Sequence, residues 1–306
     1  MASDGRIRLT LLGGFLGSGK TTWLRHQLHV GAWRGAAVLV NEAAETPVDD
    51  ALLPGARVLA GGCACCSGRA ALVTELRRLC DLRSRAGDGP DEIVLETSGV
   101  ADPGPIIAAI RGDPVLAYHV LVAEVIVLVD ARHGLDQLAR EPLGRRQIEA
   151  ADRLILTKLD TAADLATLCA TLRALNPAAG QMAAHLGSPV PLPPLPAGAR
   201  PAPLADLTDR GAIFPTEITL AGQTDWPAFT VWLSALLHAR GEDVMRVKGV
   251  VRTPAGRLLI QTVRKQVQSP EILPEQSDRR DDTIVVIGRG YQAQDLHRSF
   301  ARFARP

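Results

Sequence analysis

The stretch "GFLGSGKT" spans residues 14–21. It follows the apolar run "IRLTLLGG" (7–14) and leads into a segment that reads as a helix beginning near Lys20. The spacing is G-x-x-x-x-G-K-[ST], in the strand–loop–helix setting that a phosphate-binding loop needs. Backbone N–H groups that wrap a phosphate chain leave no room for side chains, so Gly14, Gly17 and Gly19 stand where the approach is closest. The helix N-terminus adds a favourable dipole. Lys20 is expected to neutralise β- and γ-phosphate charge, and the Thr21 hydroxyl to ligate Mg²⁺. Ser18 and Thr22 complete the nucleotide-binding stretch.

Outward from this loop, short continuous apolar runs recur at 36–41, 92–96, 124–130 and 153–160. Such runs read as parallel strands buried on both faces. Candidate helices lie between them, as at 68–83 and 161–175. The βαβα order predicts an α/β fold, a P-loop NTPase with a doubly wound, mainly parallel sheet. Residues 188–210 open with the proline-rich "SPVPLPPLPAGARPAP" and read as a stiff linker between a first domain, 1–187, and a second, 211–306. The second domain is smaller and α+β in pattern. Strands are expected at 213–220, around "VMRVKGVVR" and "RLLIQTVRK" with the turn "TPAG" between them, and at 283–290; helices are expected at 225–240 and 291–303.

The 306 residues are 46% hydrophobic with a net charge of +1, and the mean hydropathy is +0.08. That balance suits a water-soluble chain and argues against nucleic acid or an anionic membrane as partner. No apolar run is long enough to span a bilayer. The N-terminus lacks the basic-then-apolar pattern of a leader, so the chain is expected to be unprocessed and cytoplasmic.

"LTKLD" (156–160) falls at the C-terminal end of a predicted strand, where ligands bind in open α/β sheets. A carboxylate there accepts both the N1–H and the exocyclic amine of guanine, a pair that adenine does not offer. Lys158 would lay its stem along the base and Asp160 would read it. "ETSGVADP" (96–103) also ends a strand. Glu96 fits an acid that helps hold Mg²⁺, and Gly99 a backbone N–H that meets the γ-phosphate. The next residue, Val100, cannot orient a water, so slow intrinsic GTP hydrolysis is expected, stimulated by a partner, a metal or dimerisation. An ATP-dependent kinase or ligase is the reading that "TKLD" disfavours.

"GGCACCSG" (61–68) gathers Cys63, Cys65 and Cys66, three of the five cysteines. An odd count without regular spacing is a poor disulfide framework. Three chemistries remain open on these residues: a site for a thiophilic ion such as Zn²⁺, a labile redox pair, or small apolar core residues. Gly61, Gly62 and Gly68 supply the flexibility a metal loop needs. A further ligand is offered by Glu42 or Glu45 in "VNEAAET" (40–46), or by His119 or His133.

These segments together resemble the CobW-like metallochaperone GTPases, a SIMIBI-class P-loop family. The resemblance rests on "GFLGSGKTT" (14–22), "NEAAE" (41–45), "GGCACC" (61–66), "ETSGVADP" (96–103), "VDARH" (129–133), "RRQIEAADRLILTKLD" (145–160) and "LNP" (175–177). "RVKGVV" (246–251), "QTV" (261–263) and "VVIGRG" (285–290) extend it into the family's C-terminal domain. It implies a GTP-dependent chaperone in which Cys63, Cys65 and Cys66, with Glu42 and Glu45, hold Zn²⁺ or Co²⁺ beside the γ-phosphate. GTP hydrolysis would release the ion to a client apo-metalloenzyme. The C-terminal domain would serve client contact or homodimerisation. Where the family usually has "NEFGE" this chain has "NEAAE", which keeps both glutamates and loses the aromatic and the glycine. The seven histidines are scattered, so a histidine-rich metal store is not expected. Residues 260–276 resemble the branch that includes nitrile hydratase activators. A nucleotide-gated metal sensor that delivers nothing is the other functional alternative.

Overall fold

The computed structural model describes residues 5–41, 56–59, 64–65, 68–86, 89–162, 164–196, 198–204, 214–220, 225–241, 243–263, 265–267, 269–273 and 281–303. They fall into two compact units, one within Arg6–Ala205 and the other within Met1–Gly5 and Asp206–Pro306.

The first unit is built on strands β1 (Ile7–Gly14), β2 (Ala37–Asn41), β3 (Arg57–Leu59), β4 (Glu92–Glu96), β5 (Val120–Asp130), β6 (Arg153–Thr157), β7 (Gly180–His185) and β8 (Ser188–Val190). Their order in the sheet is β3-β2-β4-β1-β5-β6-β7-β8. Every pairing is parallel except β7 with β8, which is antiparallel. The helices are α1 (Lys20–His29), α2 (Arg69–Ala86), α3 (Pro103–Gly112), α4 (Pro114–His119), α5 (Gly134–Arg140), α6 (Pro142–Ala150) and α7 (Leu165–Leu175). The uninterrupted burial of the later residues of β1, β5 and β6 is what a parallel sheet covered on both faces imposes. Leu12, Leu24, Val40, Val94, Ile126, Leu128 and Ile155 pack with Trp23 in one core. Each large aliphatic side chain so buried contributes roughly 2 kcal/mol.

Helix starts follow local chemistry. Asp102 and Asp113 cap α3 and α4, each accepting a backbone N–H, with proline at the first helical turn. Asp164 caps α7 by accepting from Thr167 N, so that helix begins at Leu165 rather than at 161. Strand β6 stops at Thr157 rather than running to 160, because Lys158 takes a left-handed φ of 56° and a 3₁₀ turn follows at Leu159–Thr161. The proline-rich segment enters the structure as part of the first unit. Ser188–Val190 pairs with β7, Ala202 N donates to Thr171 Oγ1 at 2.8 Å, and Leu204 is buried.

The order of the sheet decides where a ligand goes. Strand β1 lies between β4 and β5, while the chain leaves β1 for β2 on the far side of β4. Connections therefore diverge at the C-terminal end of β1, and a crevice opens there. Asn41, Gly14, Glu96, Asp130 and Thr157 are the last residues of five adjacent strands, so all five reach this edge.

The second unit is an antiparallel sheet of β9 (Phe214–Thr219), β10 (Val244–Thr253), β11 (Gly256–Val263), β12 (Gln266–Val267), β13 (Glu271–Leu273) and β14 (Thr283–Gly288). Its order is β12-β11-β10-β14-β9, with β13 also on β11. Helices α8 (Trp226–Arg240) and α9 (Ala293–Phe303) complete it. Phe229 and Trp232 of α8 are fully buried among Ile218, Val247, Ile260, Ile284 and Val286, with Phe300 of α9 against them.

Candidate functional site

The loop after β1 has the backbone its glycines permit. Gly14, Gly17 and Gly19 take φ of 135°, 74° and 88°, in the left-handed half of the map. At Gly14 space forbids a side chain as well, since a Cβ would lie 2.5 Å from Leu128 O and 2.7 Å from Ser18 Oγ. Gly19 precedes α1 with no side chain capping the helix, and the first turn holds no acidic residue. Both features leave that helix end suited to an anion. The Ser18 hydroxyl is buried and has no hydrogen-bond partner among the described residues. A buried polar atom left so at a loop of this shape fits a missing ligand. Lys20 is buried and folds back over the loop, its Nζ donating to Gly14 O at 3.0 Å and Phe15 O at 3.2 Å.

Thr21 of α1 and Glu96 of β4 meet at the mouth of the crevice, with Thr21 Oγ1 donating to Glu96 Oε1 at 2.6 Å. A hydroxyl and a carboxylate are hard oxygen donors of the kind Mg²⁺ takes. After Glu96 the chain turns back along the P-loop. Thr97 N and Oγ1 both donate to Leu12 O, at 2.9 and 3.1 Å. Gly99 packs so tightly on the loop that a Cβ would lie 2.6 Å from Leu16 N.

The side expected to face a nucleobase is built from β5 and β6. Lys158 Nζ donates to Gly17 O and to Asp130 Oδ2, each at 2.7 Å. Asp130 is almost fully buried, and its other oxygen accepts the Arg132 and His133 N–H groups. Thr157 Oγ1 donates to Ser18 O at 2.9 Å. Lys158 is thus tied across the P-loop, and Asp160, two residues on in the 3₁₀ turn, is exposed.

Of the thiol loop, Ala64 and Cys65 are described. Ala64 is fully buried and its N–H donates to Asn41 Oδ1 at 2.7 Å. Cys65 is half-buried, and its carbonyl accepts the Arg69 guanidinium at 2.8 Å. Cys63, Cys66, Glu42 and Glu45 lie outside the described residues. Among the described residues no cluster of His, Cys, Asp or Glu could hold a metal ion. His119 immediately precedes β5, at the sheet edge opposite the P-loop, whereas His133 follows β5 on the P-loop side. Cys80 and Cys169 are core residues, and burial pushes the Cys80 thiol up to about 11 and raises that of Cys169.

Asn41, Asp130, Thr157 and Gln147 take part in this arrangement although no role was read for them from the sequence. The first three end strands of the parallel sheet, a position that by itself signals the ligand edge. Gln147 carries no such signal. It reaches the turn after β4 from α6, donating to Ala101 O at 2.8 Å.

Residues 8–183 match the family described as CobW/HypB/UreG, nucleotide-binding domain. Residues 216–304 match the cobalamin synthesis protein cobW C-terminal domain. The zinc chaperone YjiA of Escherichia coli is 40% identical over 174 residues, which is 56% of this chain and 55% of that protein. The chain thus spans about half the length of that relative. The zinc chaperone CobW of Pseudomonas aeruginosa is 31% identical over 340 residues, covering 94% of this chain and 89% of that protein. The structure of Zn(II)-bound YjiA GTPase from E. coli superimposes with a TM-score of 0.61 at 25% identity, covering 98% of this chain and 99% of that one. With the nucleotide-binding domain matched over the first unit and the C-terminal domain over the second, the chain belongs to the CobW family.

Proposed function

We propose that the protein is a GTP-dependent zinc metallochaperone. It binds GTP with Mg²⁺, hydrolyses it slowly, holds Zn²⁺ (or Co²⁺) on Cys63, Cys65 and Cys66 with Glu42 or Glu45, and hands the ion to a client apo-metalloenzyme in the cytoplasm. Lys20 and the P-loop amides of residues 14–22 grip the phosphates, Lys158 and Asp160 read guanine, and Thr21 and Glu96 hold the magnesium. That ion, when bound, offsets charge on the phosphate oxygens. Hydrolysis is slow because Val100, which follows the γ-phosphate glycine Gly99, is an exposed hydrocarbon with no group to align a water. The domain at 211–306 serves client contact or homodimerisation.

One observation supports the assembly of the metal site from two segments. Asn41, the residue before Glu42, accepts the N–H of Ala64, the residue between Cys63 and Cys65. A change at one segment that moves Asn41 is therefore felt at the other. Where GTP also acts on this joined element, nucleotide and metal must alter each other's affinity by the same factor. The zinc chaperone names of the E. coli and P. aeruginosa relatives support the choice of cargo.

The test is a zinc titration of the full chain by competition with a chelating dye, in GDP and in a non-hydrolysable GTP analogue. Zinc affinity should differ by about fivefold or more, the lower end of ordinary coupling between sites. Equal affinity in the two nucleotides overturns the delivery mechanism.

A further inference from the structure

Gln147 is 1% exposed on α6, a helix that supplies no residue to the P-loop or to the base side. Its Nε2 donates to Ala101 O at 2.8 Å and reaches Gly99 O at 3.4 Å. These two carbonyls flank Val100, so one amide group holds both sides of the turn expected to meet the γ-phosphate. Beside it, Arg146 Nε donates to Asp102 Oδ2 at 2.7 Å, and Asp102 in turn caps α3. The turn is therefore fixed at successive points from α6. On its opposite side Gly99 rests on Leu16 of the P-loop without space for a Cβ.

Helix α6 is itself braced. Arg145 Nε and an η-nitrogen donate to Leu138 O at 2.7 Å and Ala139 O at 3.1 Å, at the end of α5. Asn176 Nδ2 donates to Ile148 O and Ala151 O, both at 2.8 Å, at the end of α6. Gln147 thus projects from a fixed post onto the turn, where Ala101 N also donates to Ser98 O at 3.0 Å. A trans peptide is planar, so holding the Gly99 carbonyl fixes the direction of the Val100 N–H, in the peptide that follows the Gly99 N–H expected at the γ-phosphate. The Val100 N–H itself donates to Ser98 Oγ at 3.4 Å.

We propose that Gln147 is the positioning residue of the γ-phosphate turn and sets the preference for GTP over GDP. This inference rests on the GTP-binding reading above. A group that holds the turn in its receptive shape strengthens binding of the third phosphate and adds nothing for a nucleotide that lacks it. Only such a differential interaction shifts a conformational equilibrium.

The experiment compares the full chain with Gln147→Met, which keeps length and loses both donors, and Gln147→Asn, which keeps the amide one carbon short. Affinities for GDP and for a non-hydrolysable GTP analogue are measured in one preparation, so that their ratio does not depend on the folded fraction. Gln147→Met should bind GDP within about twofold of the unsubstituted chain and the analogue about tenfold more weakly, the scale of two hydrogen bonds lost. kcat at saturating GTP should fall by a similar factor, and Gln147→Asn should lie between. Equal losses for both nucleotides would mean a packing role and overturn the proposal, as would an unchanged ratio. An unsubstituted chain that binds no guanine nucleotide overturns the functional reading and this inference together. One that discriminates, beside a Gln147→Met that discriminates equally, overturns this inference alone.

Discussion

Asn41 Oδ1 accepts the Ala64 N–H at 2.7 Å, and both residues are wholly buried. The bond joins the end of β2 to the centre of the cysteine motif. Asn41→Ala leaves the Ala64 N–H unsatisfied, at a cost of about 1–3 kcal/mol. Zinc affinity should fall about tenfold, read by chelator competition, while GDP affinity stays within twofold. Asn41→Asp keeps an acceptor and should restore most of the loss. Full zinc affinity in Asn41→Ala would show that the two segments are independent.

Gly99 is required by space as well as by the γ-phosphate contact proposed for its N–H. In Gly99→Ala the new methyl would lie 2.6 Å from Leu16 N and 2.8 Å from Leu16 Cα, which are backbone atoms that cannot swing aside. Either the turn or the P-loop must move. Overpacking of this kind costs about 1–3 kcal/mol. Thermal unfolding should show the loss, and the GTP analogue should lose more affinity than GDP. Undiminished analogue binding would remove Gly99 from the γ-phosphate contact.

Asp160 is exposed, while Lys158 beside it is locked by Gly17 O and Asp130. The carboxylate proposed to read guanine therefore stands at the rim, two residues from a lysine held in place. Asp160→Asn replaces one acceptor oxygen by a donor. Loss of charge-assisted bonds worth roughly 1.5–3 kcal/mol should weaken GTP by about 10–100-fold. Xanthosine triphosphate, which carries a carbonyl where guanine has its amine, should gain. Competition binding distinguishes the nucleotides, and unchanged GTP affinity would place the base elsewhere.

Asp281 ties β10 to β11 in the second unit. Its buried carboxylate takes Arg257 and Arg252, with closest contacts of 2.8 Å. The Arg257 hydrogen bond holds its pKa below the usual carboxylate value; burial opposes this, and Arg252 adds to it. A carboxyl depressed in the folded state contributes stability that is complete once the unfolded group, near 3.9, is ionised. That stability is full above about pH 5 and is lost as pH falls toward the lower folded value. Asp281→Asn should cost about 2 kcal/mol at pH 7, between an exposed pair and a buried one. It should also flatten the decline in thermal stability from pH 5 to pH 3. A variant that loses stability with acid as steeply as the parent would assign the decline to other carboxyls.

What the sequence by itself determined was local. The P-loop lies within residues 14–21, the Glu96–Gly99 turn within four positions, and "TKLD" within 157–160, so each motif is written by neighbouring residues. Strands β1 and β4 were legible to the residue because a strand buried on both faces is a continuous apolar run. β3, three residues long, and β7, largely alanine and polar residues, give no such signal and owe their places to pairing with β2 and β6. Only the tertiary structure decided the pairs that cross the sheet edge: Thr21 with Glu96, Asn41 with Ala64, Lys158 with Gly17, and Gln147 with Ala101. These partners stand 23 to 141 positions apart in the chain. No local periodicity links them, because they meet through the strand order that places β1 between β4 and β5.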